Sequence, residues 1–133
     1  MAFTITGLRG TTILVVRSEG KGHVGESEQI LDELRRLTNP EDGAGVLFDI
    51  RALEYLPSPA EARYIGERYG DVGAAWGWRM AHLAPPGAQF GIARTVEIVS
   101  GLRGASARVF SDETEAIAWL REGERGAAER KSS

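Results

Sequence analysis

The sequence contains no cysteine. That absence removes disulfides, thiolate nucleophiles and thiolate metal sites together, and it fits a reducing compartment. Histidine is almost as scarce. His23 and His82 are the only two, and nothing in their spacing pairs them with each other or with carboxylates, so neither a metal site nor histidine-based catalysis is expected. No run approaches the ~20 apolar residues of a membrane span, so no integral membrane contact is expected. The opening MAFTITGL lacks the basic region followed by an apolar run that marks a signal peptide, and the expected location is the cytoplasm. Positive charge is not in excess either. Sixteen Lys and Arg stand against 19 Asp and Glu, for a net charge of -3, and this argues against nucleic acid as the partner, because phosphate needs a basic face. Paired carboxylates placed for acid-base work, a G-x-S-x-G elbow and a Walker-type phosphate loop are missing too. No catalytic residue and no cofactor is expected.

What is present is ordinary globular material. The chain has 133 residues, 42% hydrophobic and 26% charged, enough for one domain with a real core. Phe3 to Leu8 alternates apolar residues with Thr, the period of a half-buried strand. Thr11 to Val16 ends in a continuous apolar run, which suits a strand covered on both faces. The short link between them predicts an antiparallel hairpin. Ser27 is expected to cap a helix over Glu28 to Leu37, with Ile30, Leu31, Leu34 and Leu37 on one face. Val46 to Leu53 is a third strand. Ser58-Pro59-Ala60-Glu61 combines a cap, a proline at the first helical position and a capping box, so a helix is expected from there to about Tyr69. Gly70 to Trp78, with three glycines, reads as an irregular passage. A strand at Arg79 to Leu83, a helix at Gln89 to Leu102, a strand at Arg108 to Phe110 and a helix at Glu113 to Glu122 complete the pattern. Residues 1–122 read as a single domain and 123–133 as a flexible polar tail. The order β-β-α-β-α-β-α-β-α predicts an α/β fold, a mixed and mostly parallel five-stranded sheet with helices packed on it.

Three groups of residues carry the functional candidates. Ser58 is either a helix cap or a phosphorylation site, since the free N–H groups and dipole of a helix start favour phosphate. Gly20, Gly22 and Gly25 match G-x-G-x-x-G in GKGHVG between a strand and a helix, with Asp49 in the next strand near the place of a ribose-binding acid. Against a nucleotide loop stand Arg17-Ser18-Glu19, which intervene between strand and glycine, and the extra strand at the start. The other reading is a flexible loop. Trp76 and Trp78 flank Gly77 and, in extended chain, fall on the same side. They serve either as packing at the core edge or, with Tyr55, Leu56, Tyr64 and Tyr69, as the lining of a ligand pocket or a partner surface. Exposed aromatics there leave a homodimer open.

Two stretches resemble a known family. ARVFSDETEAIAWL, Ala107 to Leu120, looks like the closing strand and helix of the SpoIIAA-like group of the STAS superfamily, often grouped as STAS/SEC14 domains. LFDIRALEYLPSPAEA, Leu47 to Ala62, resembles the strand-turn-helix where the wider superfamily carries its regulatory serine. The resemblance spans residues 3 to about 122. It implies the SpoIIAA-like (STAS) fold and a non-enzymatic regulatory domain that acts through protein-protein interaction, related to anti-sigma-factor antagonists. In those antagonists an acidic-Ser-Ser-Gly turn is phosphorylated on its second serine. Here that turn falls on Pro57, Ser58, Pro59 and Ala60, so Ser58 takes the first serine's place and Pro59 the second's. The alternative that the resemblance implies is a carrier or sensor of a small lipophilic ligand, with a pocket closed by the 70–78 passage. A third reading is an enzyme that binds a nucleotide on the Gly-rich loop.

Overall fold

The structure, a computed structural model, describes residues 3–132, with side chains described through Glu124. Five strands and four helices alternate as β1 (Phe3–Gly7), β2 (Leu14–Gly20), α1 (Gly25–Leu37), β3 (Gly45–Leu53), α2 (Pro59–Trp76), β4 (Arg79–Leu83), α3 (Ala88–Leu102), β5 (Ser106–Phe110) and α4 (Glu113–Ser132). The sheet runs β1-β2-β3-β4-β5. β1 pairs antiparallel with β2, and all later pairs are parallel. Because the parallel strands follow one another in order, their right-handed crossovers put α1, α2 and α3 on one face. α4, which follows the edge strand, covers the other.

The pleat sorts the side chains accordingly. Val16, Val46, Phe48 and Met80 meet Ile30, Leu31 and Leu34 of α1, Tyr69 and Val72 of α2 and Val96 of α3. Their neighbours Val15, Leu47, Ala81 and Leu83 meet Ala116 and Leu120 of α4. Leu31 and Leu34 are fully buried, each a gain of about 1.5–3 kcal/mol.

Several boundaries differ from the sequence expectation, each for a local reason. β2 starts at Leu14 rather than Thr11, because the Thr11 hydroxyl donates to Leu8 O at 2.7 Å and accepts from Ile13 N at 3.0 Å, which holds a turn. α1 starts at Gly25, ahead of the expected cap. Ser27 lies inside the helix and its hydroxyl donates to Val24 O, while His23 Nδ1 accepts from Gly25 N at 3.1 Å. The largest difference is the stretch from Gly70. It is not irregular; α2 continues through it to Trp76. The glycines there serve packing. A Cβ at Gly66 would lie 2.7 Å from Val99 Cβ, one at Gly70 2.7 Å from Arg103 Cβ, and one at Gly73 2.6 Å from Met80 Cε. The i, i+4, i+7 stripe therefore lets α2 approach α3 and the sheet more closely than any larger residue would. The helix ends at Gly77, whose φ of 66° is left-handed, with Trp78 N bonded to Gly73 O at 3.0 Å, a Schellman closure. α4 continues past the expected end at Glu122 to Ser132. Beyond Glu124 the side chains of the expected 123–133 tail lie outside the described residues.

Candidate functional site

In a parallel sheet, ligands gather at the carboxyl ends of the strands. Here those ends open into a partly enclosed cleft with a cavity volume of about 100 Å³. Its sheet side is made by Ser18, Phe48, Ile50 and His82, residues that the pleat of β2, β3 and β4 turns toward the three-helix face. Ile30 of α1, Ile65 and Tyr69 of α2, and Ile92, Ala93 and Val96 of α3 form the walls. Leu53, Tyr55, Leu56 and Pro57, on the link from β3 to α2, form one lip, and Gly22, His23 and Glu26 another.

Three rings are stacked on the inner side. Phe48 and Tyr69 lie 4.9 Å apart between centroids, and Phe48 and His82 5.0 Å apart, with planes 27° and 16° from parallel. Burial pushes the Tyr69 hydroxyl pKa up and the His82 imidazole down to about 4, because each charged form would sit in apolar surroundings. His82 is 4% exposed, and its Nε2 has no hydrogen-bonding partner among the described residues. The Tyr55 hydroxyl is likewise buried and unpartnered. Burial and then the nearby Glu61 carboxylate push its pKa up to about 12, although the two do not meet in hydrogen-bond geometry.

The expected surface residues divide. Tyr55, Leu56 and Tyr69 line the cleft. Tyr64 lies outside it, exposed on α2, and donates to Glu28 Oε1 at 3.0 Å, alongside Arg68. Trp76 and Trp78 are at the opposite end of the sheet. Their rings lie 6.1 Å apart, Trp78 is buried, and its Nε1 donates to Thr38 Oγ1 at 3.2 Å. No residue of 70–78 lines the cleft; that stretch ends α2 and packs on the α1–β3 loop.

Ser58 is the N-cap of α2. Its Oγ accepts from Glu61 N at 3.2 Å while Glu61 Oε1 accepts from Ser58 N at 2.9 Å, a complete capping box. That backbone bond, then the neighbouring Tyr55 hydroxyl, holds the Glu61 pKa below its usual value.

Of the loop glycines, Gly20 ends β2 with φ 70° and Gly25 opens α1, and only Gly22 lines the cleft. The first turn of α1 carries Glu26 and Glu28, charges that oppose a phosphate at that helix start. Asp49 faces away from the loop, toward α4. It accepts from Arg51 N at 3.1 Å, Nε at 3.0 Å and Nη2 at 2.9 Å, and pairs with Arg17 at 3.5 Å. Burial alone would raise its pKa, but the Arg51 bonds outweigh burial and hold it low. Among the described residues no helix is long and apolar enough to cross a membrane, and no cluster of three or more His, Cys, Asp or Glu is placed to hold a metal ion.

Known structures share this architecture. A crystal structure of an uncharacterised protein of the DUF3478 family, with a SpoIIAA-like fold, from Shewanella loihica PV-4 superposes with a TM-score of 0.56 at 21% identity, over 90% of this chain and 92% of that one. An anti-sigma factor antagonist from Mycobacterium paratuberculosis superposes with a TM-score of 0.59 at 18% identity, again over 90% and 92%. The chain has the SpoIIAA-like fold. No family model and no curated protein matches the sequence. Within the SpoIIAA-like fold, the residues that sequence reasoning passed over are those that come together only in space: Phe48, His82, Ile92 and Ala93. The available signal was position. His82 stands at the carboxyl end of a parallel strand, two residues from the apolar Met80 and on its face of the sheet.

Proposed function

We propose that this chain is a non-enzymatic binding domain whose site is the cleft at the carboxyl ends of β2, β3 and β4, and whose ligand is a small lipophilic molecule. One observation carries this reading: a formed apolar cavity of about 100 Å³ among Ile, Phe, Tyr and Leu side chains, with two buried polar atoms left unpaired in or beside it. Apolar walls with a few convergent polar groups are the usual make-up of a small-molecule site. The volume is smaller than the roughly 150 Å³ of a cavity that takes up benzene, so a ring or short chain enters in part and its outer end stays in the cleft's open mouth. A histidine with a pKa of about 4 is a weak base at neutral pH, which supports binding over catalysis.

The test is thermal unfolding with toluene as probe. A ligand at ten times its Kd adds about 1.4 kcal/mol to stability, which raises Tm by about 3–6 °C for a domain of this size. The expected result is such a rise in the wild type and none in Ile92→Trp, where the indole fills the cleft. A rise of equal size in both proteins would refute the reading.

A second reading has its own support. Leu56 is 52% exposed and Tyr64 43% exposed, on either side of Ser58. Such an apolar surface at the start of α2 suits a regulatory protein partner, as does the likeness in fold to an anti-sigma factor antagonist. Under this reading, Tyr64→Asp, which lies outside the cleft, abolishes partner binding and leaves the toluene effect intact.

A further inference from the structure

We infer that β1 is a docking edge for a second copy of this chain. Two β1 strands pair antiparallel about a two-fold axis at Ile5, with Phe3 opposite the partner's Gly7 and Thr4 opposite the partner's Thr6. The edge and the cleft are separate, since no residue of β1 lines the cleft.

The sheet runs β1-β2-β3-β4-β5, so β1 and β5 are its two edges. An edge presents a row of unpaired N–H and C=O groups to any passing strand, and proteins blunt it with charges, proline, bulges or covering groups. β5 is blunted in this way. It carries Arg108, α3 packs against it, and Glu97 Oε2 accepts from the outward Val109 N at 2.6 Å. β1 has none of these devices. Its sequence FTITG holds no charge and no proline, and its register with β2 runs unbroken from Phe3 to Gly7. Among the described residues, no hydrogen bond reaches its outer side.

The hairpin determines which groups face out. Leu8 N donates to Ile13 O at 2.9 Å, and hydrogen-bonded and open pairs alternate from there. Thr4 and Thr6 therefore direct their backbone groups to Arg17 and Val15 of β2, while Phe3, Ile5 and Gly7 direct theirs outward. The side chains of Phe3 and Ile5 pack into the core under the three-helix face. Those of Thr4 and Thr6 stand exposed on the other face. A Cβ added at Gly7 would meet nothing within 4 Å, so that end of the strand is open.

A two-fold interface must be complementary to itself, and β1 is. With Ile5 on the axis, the outward groups of Phe3, Ile5 and Gly7 all find partners on the other copy. Threonine then meets threonine on one face and isoleucine meets isoleucine on the other, pairings that favour an antiparallel ladder. Charge does not oppose the contact. Arg17, beside Thr4, stays three strand spacings, about 14 Å, from the partner's Arg17. The strand offers five residues, against the ~20–30 a side of a stable interface, so the association is reversible and depends on concentration.

Sedimentation velocity over a concentration series tests this, with amide hydrogen exchange read by NMR on the same samples. The wild type is expected to pass from monomer to dimer as concentration rises. The amides of Phe3, Ile5 and Gly7 should gain protection in step, while those of Thr4 and Thr6, already bonded to β2, change little. Thr4→Lys combined with Thr6→Lys sets lysine against lysine at both Thr4–Thr6 contacts and touches no core position. It should weaken the dimer about tenfold. Because it brings the net charge of -3 nearer zero, overall repulsion cannot account for that loss. A chain that stays monomeric up to ~1 mM overturns the inference and leaves the edge to a strand of some other protein. A dimer whose protection appears elsewhere, or whose strength the lysines leave unchanged, overturns it as well. The exchange measurement needs only the wild type, so it decides the question even where the lysine variant does not fold.

Discussion

Asp49 and His82 occupy neighbouring strands and are about equally buried, at 7% and 4% exposed, yet they end in opposite states. Asp49 looks toward α4. It receives three hydrogen bonds from Arg51 and an ion pair from Arg17, and Glu113 of α4 closes the cluster through Arg51 at 3.1 Å. Its polar capacity is used up inside the chain. His82 looks toward α1, α2 and α3 and stacks on Phe48 and Tyr69, with Nε2 unpaired among the described residues. The same sheet thus holds one buried polar side chain that is fully partnered and one whose Nε2 has no partner among the described residues.

Acidification gives the largest effect that separates the two residues. The His82 pKa is about 4 in the folded chain and about 6.5 when unfolded. Between these values the unfolded chain binds the proton and the folded chain does not, so stability is present above pH ~6.5 and falls as pH drops toward 4. The total loss is about 3 kcal/mol. Urea unfolding across this range should show it in the wild type and not in His82→Phe. Asp49 adds a loss of the same sign lower down, as pH falls through its depressed pKa. Equal losses in both proteins above pH 4 would erase the contrast.

Asp49→Ala comes next. It leaves Arg51 and Arg17 sharing Glu113 as their remaining carboxylate, and a loss of about 2 kcal/mol in urea unfolding is expected. A change below about 0.5 kcal/mol would place Asp49 among ordinary surface pairs. Ser58→Ala removes a satisfied cap and should cost about 1 kcal/mol in the same measurement, with toluene binding unchanged. The smallest effect is His82→Phe at pH 7.5. It deletes an unpaired nitrogen and keeps the ring volume, so stability should move by less than about 1 kcal/mol in either direction. A loss above about 3 kcal/mol would mean that His82 has a partner within the chain.

Much of the fold can be read from local pattern. The alternation in Phe3 to Gly7, the apolar runs of β2 and β3 and the capping box at Ser58 each act within a few residues, and they give the order of elements directly. The length of α2 cannot be read this way. Gly70 and Gly73 look like breakers until α3 and Met80 are in place, and only then does their lack of a Cβ become a packing requirement. The aromatic residues mislead for a similar reason. Trp76 and Trp78 touch, as a period of two suggests, but through a helix end closed by Gly77 rather than along an extended segment, and at the far end of the sheet from the cleft. Tyr55, Leu56 and Tyr69 are legible as neighbours of the β3–α2 turn. His82 is not, because its meaning depends on the register that sets it beside Phe48 and on helices that close over both.

Isoleucine methyl resonances offer the most direct test of the cleft as the ligand site. Ile30, Ile50, Ile65 and Ile92 line it, while Ile5 is on β1, Ile13 lies under α4, Ile117 is on α4 and Ile98 is exposed on α3. Titration of methyl-labelled protein with toluene should move the first four signals along one saturable curve and leave the other four in place. Shifts spread over all eight, or none at Ile50 and Ile92, would contradict the account.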